Sequence, residues 1–183
     1  MEPTESGPDT QPVPATEEGQ AEVAVHALST RRATLADLSE LTRLDTAARE
    51  ALGGSRGGEL YFLRNARVQP VDDSYRRDLD DPDRLVLLGS IGDVAVGYAV
   101  VSAVDLAGGY RLADINEIFV ETEARDIGVG ESLISEIIRW ATQKGCHGLD
   151  SRALPGDRST KNFFESNGLV ARAILVHRDL RGS

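Results

Sequence analysis

The stretch from Arg84 to Val120, "RLVLLGSIGDVAVGYAVVSAVDLAGGYRLADINEIFV", constrains the fold more than any other part of the chain. It reads as three apolar strands, and the breaks between them are the tight turns "IGD" and "LAGG". Connections so short leave no room for a crossover, so the three strands are expected to be antiparallel neighbours. After Val120 the hydrophobic period changes. The segment "ESLISEIIRWATQK" places Leu133, Ile134, Ile137, Ile138 and Ala141 on one helical face, with Gly145 as the stop signal and Trp140 packing at its edge.

The rest of the chain falls around this centre. Upstream, "VAVHALSTRRA" (Val23 to Ala33) alternates as a first strand. Thr34 then caps "LADLSELTRLDTAAREAL", whose leucines fall at helical spacing. "GGSRGGE" breaks that helix, and "LYFLRNARV" forms a shorter one. Downstream, "CHGLDSRAL" is a short strand and "DRSTKNFFESNG" a helix with Asp157 as N-cap and Gly168 as stop, and "LVARAILVHRD" is a final strand. The expected order is β, α, α, β, β, β, α, β, α, β, an α+β domain spanning residues 23–183 with no internal repeat. Residues 1–22, rich in Pro, Glu, Thr and Gly, hold almost nothing to bury, so a disordered tail is expected there.

Composition removes whole classes of function. A net charge of -10 argues against a general nucleic-acid binder, which would present basic surface to phosphate. The single cysteine, Cys146, cannot close an intramolecular disulfide, and no Cys and His cluster has metal-ligand spacing, so no metal is expected. No basic segment followed by an apolar stretch opens the chain, and nowhere do eighteen apolar residues run together. A cytoplasmic protein, with neither membrane nor nucleic acid as partner, is the expectation.

The turn "EARDIGVGESL", Glu123 to Leu133, sits where the last strand of the meander hands over to the helix. A P-loop would need Lys-Ser or Lys-Thr after Gly130, and neither is present. A dinucleotide fingerprint would need a third glycine where Leu133 stands, on a strand that opens a βαβ unit. What remains is R-x-x-G-x-G, in which Gly128 and Gly130 let the backbone approach a ligand while unpaired amides at the helix start point at an anion. The natural anion is a pyrophosphate.

These residues resemble the GNAT superfamily of acyl-CoA-dependent N-acyltransferases. "IFVETEARDIGVGESLISEIIRWATQKG" is similar to the acetyl-CoA motif of that family, and "STKNFFESNGLVARA" to its C-terminal motif. The resemblance runs from Leu85 to Arg172 and is weak before that. It implies a GNAT fold, a mixed and mostly antiparallel central sheet of about six to seven strands flanked by about four helices. It further implies that the strand Asp114 to Val120 splays from the strand His147 to Leu154. In the gap, acetyl-CoA would lie against Ile118, Phe119 and Val120, with its pyrophosphate on Arg125, Asp126, Ile127, Gly128, Val129 and Gly130. Asn162 matches the cofactor-contacting asparagine of the family, with Asp157 fitting a shifted alignment.

The implied reaction transfers an acetyl or related acyl group from acetyl-CoA to a primary amine by direct attack, so a base must receive the amine's proton. Glu117 ranks first and Asp150 second as that base, with Asp114 behind them. Strand alternation places Asp114 and Asn116 on the face of Ile118 and Val120, and Glu117 with Phe119 on the other. Asn116 stands where several relatives carry the base, and Phe164 where many carry a tyrosine acid. These two departures favour the alternative, a degenerate module that binds acyl-CoA or a partner protein without turnover. Cys146 has no activating partner, and His26, His147 and His177 are scattered among strands as structural or exposed residues. The acceptor is expected to be an amine on a small molecule or a protein, and a homodimer is admitted.

Overall fold

The computed structural model describes residues 27–65 and 67–181. The expected tail at residues 1–22, the start of the first expected strand and His26 lie outside the described residues. In chain order the elements are β1 (Leu28–Arg32), α1 (Leu38–Gly53), α2 (Gly58–Asn65), α3 (Val71–Asp80), β2 (Arg84–Ile91), β3 (Val94–Asp105), β4 (Arg111–Val120), α4 (Val129–Gln143), β5 (Gly148–Asp150) and α5 (Arg158–Ser166). The five strands form one sheet in sequence order. β1 through β4 pair antiparallel, as the short turns require, and β5, reached through α4, pairs parallel to β4.

Helices cover both faces of the sheet, so β2 and β3 are apolar on both sides rather than alternating with polar residues. Leu85, Leu87, Ala99, Val101, Ala113 and Ile115 face α4 and meet its buried stripe of Leu133, Ile134, Ile137, Trp140 and Ala141. Trp140 is 1% exposed, central to this core rather than at its edge. On the opposite face Val86, Leu88, Tyr98 and Val100 meet Leu38, Leu41, Leu44 and Ala48, with Tyr75 of α3.

Two elements depart from the sequence expectation. α3, over "VDDSYRRDLD", was not anticipated because its charge obscures a short apolar stripe. Tyr75 on α3 is fully buried, and Val71 and Leu79 pack beside it. Conversely, "LVARAILVHRD" is not paired as a strand among the described residues. It runs on from Leu169 with Val170, Ile174, Leu175, Val176 and Leu180 exposed. Five strands and five α-helices among the described residues thus realise the α+β architecture. Among the described residues no helix is long and apolar enough to cross a membrane.

Candidate active site

The site begins with a defect in β4. Val100 of β3 pairs with Glu117 and Val101 with Ile115, so Asn116 is an extra residue on β4 with no partner in the register. Such a bulge advances the side-chain alternation by one residue. Ala113 and Ile115 face α4 before it, and Ile118 and Val120 pack on the same side after it. The expected face assignment is therefore corrected: Asp114, Asn116, Glu117 and Phe119 share the face under α1, α2 and α3, opposite Ile118 and Val120.

Glu117 is the focus of that face. Its carboxylate accepts from the Tyr98 hydroxyl at 2.9 Å and lies 2.9 Å from Arg67 Nε. Arg67 reaches it from the segment after α2, with its guanidinium 3.9 Å from the centroid of the Tyr75 ring. The same guanidinium donates to Asp78 Oδ2 at 2.5 Å and to Ser74 Oγ at 3.2 Å, and Asp78 in turn pairs with Arg84 at 2.9 Å. Burial pushes the Glu117 carboxyl above its ordinary pKa, against the opposing pull of the Arg67 cation and the Tyr98 hydrogen bond. Burial disfavours the Arg67 cation as well, yet the carboxylates around it prevail and its pKa is raised. Burial, followed by the nearby Glu117 charge, raises Tyr98. The Tyr98 hydroxyl therefore stays protonated and donates.

Past Asp114 and Asp150, the last pair in the β4–β5 ladder, β5 ends while β4 continues to Val120. The two chains part as expected. A cavity of about 100 Å³ occupies the opening, lined by Ile118 and Phe119 on one side, Ser151 and Leu154 on the other, and Tyr61 and Glu117. A second cavity of about 480 Å³, between α3 and β4, is lined by Arg67, Arg77, Arg84, Asn116, Glu117 and Arg152. Glu117 belongs to both cavities. Beside it, the buried Asn116 Oδ1 has no hydrogen-bond partner, and the Tyr61 hydroxyl donates to the Asn116 carbonyl at 3.3 Å.

Where β4 ends, the glycine turn closes onto α4. Gly128 takes φ 97°, a left-handed conformation that suits glycine, and no side chain caps the helix start. A Cβ on Gly130 would lie 3.0 Å from Phe163 Cε2, so α5 packs directly on the first turn of α4. Arg125 Nε donates to the Val120 carbonyl at 3.1 Å and folds the turn back on β4. Asp126, at φ 62°, and Ile127 are exposed at its tip. Uncapped amides beside a glycine cradle, together with an opened strand edge, fit a phosphate-bearing thioester cofactor. Val129 is buried and anchors the helix, and Asn162, exposed on α5, adjoins Phe163.

The other sequence candidates lie apart from Glu117. Asp150 ends β5 and lines neither cavity. Its Oδ1 accepts from Arg172 Nε at 2.8 Å, and that hydrogen bond holds the carboxyl below its ordinary pKa. Asp114 is paired with Arg152 at 2.7 Å. Cys146 precedes β5 and burial pushes its thiol up, the opposite of activation. His147 Nδ1 accepts from the Arg111 amide at 3.1 Å and its ring stacks on Tyr110. His177 is exposed, and Phe164 is a core residue at 7% exposure. Among the described residues no group of His, Cys, Asp and Glu side chains is arranged to hold a metal ion. Sequence reasoning missed Tyr98 and Arg67. A tyrosine inside the apolar run "AVGYAVV" was a usable signal, since its buried hydroxyl needs a partner. Arg67 carried none, because the Glu117 carboxylate that it meets lies 50 residues away.

A family model described as "Acetyltransferase (GNAT) family" matches residues 57–169, more than half of the chain. The chain belongs to the GNAT acetyltransferase family. The matched span contains β4, the glycine turn, α4 and α5, so the GNAT assignment rests on the elements that build this site. No curated protein matches the sequence. Among solved structures, an aminoglycoside acetyltransferase from an uncultured soil metagenomic sample, in complex with trehalose, has a TM-score of 0.65 at 19% identity, over 85% of this chain and 97% of that one. A predicted acetyltransferase with acetyl-CoA from Clostridium acetobutylicum has a TM-score of 0.64 at 12% identity, over 84% and 97%. A ribosomal-protein-alanine N-acetyltransferase from Brucella melitensis biovar Abortus 2308 has a TM-score of 0.60 at 19% identity, over 84% and 100%. At these identities the likeness is one of GNAT fold.

Proposed function

We propose that this GNAT domain transfers an acetyl group from acetyl-CoA to a primary amine by direct attack, with Glu117 as the general base. The observation that carries the reading is the position of Glu117 at the junction of two cavities, one in the β4–β5 opening and one beneath α3. Acetyl-CoA would supply the activated acyl thioester.

For the cofactor, the free edge of β4 from Ile118 to Val120 offers backbone groups to an extended arm. The turn from Arg125 to Gly130 offers amides to a pyrophosphate, with Asn162 on the adjoining helix. For the acceptor, the larger cavity supplies the Glu117 carboxylate and the unpartnered Asn116 Oδ1, both of which accept hydrogen bonds from an amine. An ammonium ion cannot attack, and a carboxylate with a raised pKa takes its proton more readily than an ordinary one. Arg67 and Tyr98 hold that carboxylate on fixed donors, so it needs no reorganisation to act. The leaving thiolate is a weak base, and the core position of Phe164 therefore does not preclude turnover. Asp150, tied to Arg172 with a depressed pKa, is the second candidate on chemical grounds.

A structure of the soil aminoglycoside acetyltransferase in complex with sisomicin supports an amine on a small molecule as the acceptor. A protein amine is the second possibility. Release of CoA thiol measured against a panel of amines tests the function. Amine-dependent release is expected. Calorimetric binding of acetyl-CoA without release for any amine would support the degenerate module, and absence of binding would remove the cofactor reading.

A further inference from the structure

The larger cavity is walled by charge, and the general base accounts for only part of it. Four arginines, Arg67, Arg77, Arg84 and Arg152, line it. Three of them meet carboxylates. Arg67 pairs with Glu117 and Asp78, and Arg84 pairs with Asp78 at 2.9 Å and reaches Asp81 at 3.9 Å. Arg152 donates to both oxygens of Asp114, at 3.2 Å and 2.7 Å. Arg77, in the last turn of α3, makes no ion pair among the described residues. Asp73 and Asp81 stand four residues before and after it, the spacing of helical ion pairs, yet Asp73 turns to Arg76 and Asp81 to Arg84.

Position sets Arg77 apart from the reacting carboxylate. Glu117, Arg67 and Arg152 line both cavities, whereas Arg77 and Arg84 line only the larger one. An acceptor whose amine meets Glu117 beside the β4–β5 opening therefore has the rest of its body in the larger cavity, along α3. Arg67 and Arg84 share Glu117, Asp78 and Asp81, so with Asp114 the count is four carboxylates against four guanidiniums, and Arg77 is the cation left over. A polyamine would bring further positive charge to a wall whose carboxylates are already engaged, and like charges so placed repel. An amine that also carries one negative group adds no net charge and gives Arg77 a partner. The planar fork of arginine binds a carboxylate through two parallel hydrogen bonds. A single leftover cation suits a carboxylate better than a phosphate, which carries nearly two charges at neutral pH.

We infer that the acceptor is an amino-acid-like zwitterion, a small molecule bearing an amine and a carboxylate, and that Arg77 binds the carboxylate and selects for it. The inference rests on the reaction proposed above and narrows its acceptor. A cavity of about 480 Å³ has the size of a small-molecule site.

Release of CoA thiol with matched acceptors tests it: glycine, β-alanine and longer ω-amino acids, each beside its own carboxamide, together with phosphoethanolamine and putrescine. A carboxamide keeps the shape and removes the charge. The best amino acid should exceed its amide in kcat/KM by about tenfold to a hundredfold, chiefly through KM. Arg77→Gln should abolish that ratio and Arg77→Lys should restore part of it. Arg76→Gln, on the same helix but outside the cavity, should leave it in place. Amides or putrescine used as well as the amino acids would overturn the inference while transfer itself stands, as would a ratio that survives Arg77→Gln. A preference for phosphoethanolamine that is lost in Arg77→Gln would overturn the carboxylate in favour of a phosphate. If no amine releases CoA, the reaction falls, and calorimetry with the same amino acids in the presence of CoA decides the rest. Binding that weakens in Arg77→Gln would keep the zwitterion as the ligand of this cavity, and absence of binding would remove it.

Discussion

Under α4 the sheet presents Leu85, Leu87, Ala99, Val101, Ala113 and Ile115, all apolar, whereas under α1 to α3 the same strands present Tyr98 and Glu117 among Val86, Leu88 and Val100. The first face is held chiefly by close packing, with a Thr30–Ser132 hydroxyl pair at 2.8 Å between β1 and α4 beside it. The second combines packing with a chain of charged hydrogen bonds that runs from Tyr98 through Glu117, Arg67 and Asp78 to Arg84. A purely apolar face is the economical way to hold a fold together, because buried charges contribute little net stability once their desolvation is counted. A face that accepts that cost while opening into two cavities points to chemistry rather than to scaffolding.

The sharpest way to break this contrast is Glu117→Gln. The rate should fall by roughly two to four orders of magnitude, with acetyl-CoA affinity preserved in calorimetry. A wild-type rate would mean that the polar face is structural after all. Stability should not suffer in proportion. The Glu117 pKa is raised on folding, so the folded state retains its proton longer, and the carboxyl's contribution is lost as pH rises through the folded value. On the apolar face the expectation is reversed: Ile137→Ala should cost about 2–5 kcal/mol in denaturant unfolding while the folded fraction keeps its turnover number. A collapse of turnover with intact stability would erase the distinction.

Gly130→Val probes the seam between α4 and α5. A Cβ there meets Phe163, and its branches crowd the amides of the turn. Affinity for acetyl-CoA should fall by about tenfold or more, roughly 1.4 kcal/mol, with the pH profile unmoved. The smallest effect, and the most specific, belongs to Arg67→Met. The acid limb of kcat/KM should already lie above the ordinary glutamate range, because burial raises Glu117 and only its ionised form accepts a proton. Removing the cation that opposes burial should move that limb to still higher pH. A limb that stays in place would show that Arg67 does not act through Glu117.

The same contrast separates what could be read in the sequence from what could not. Packing repeats along an element, so the stripe Leu133, Ile134 and Ile137 identified α4, and the short turns identified the antiparallel order of β2, β3 and β4. The glycine turn was legible for a similar reason, since Gly128 and Gly130 mark a backbone requirement at fixed positions. α3 was lost because its apolar residues that pack on the core, Val71, Tyr75 and Leu79, are scattered through a charged segment. Glu117 was ranked first by its nearness to the "IFV" triplet, and alternation set it with Phe119 opposite Ile118 and Val120, yet neither its partners nor the bulge that brings Asp114 and Asn116 onto its face were visible. Arg67 comes from an irregular segment, and the β4 bulge carries no glycine to announce it. Both depend on contacts between segments far apart in the chain.

The bulge at Asn116 gives β4 two phases that cannot be read through one another. Counting inward positions forward from Ala113 and backward from Val120 yields lists that disagree about Asn116 and Glu117. An alignment of this strand with an unbulged one must therefore carry its one-residue gap at Asn116 or Glu117, because a gap before or after that pair sets an outward residue against an inward one. Deleting Asn116 from the protein itself would straighten the strand without that exchange: Ala113, Ile115, Ile118 and Val120 would stay on one face, and Asp114, Glu117 and Phe119 on the other.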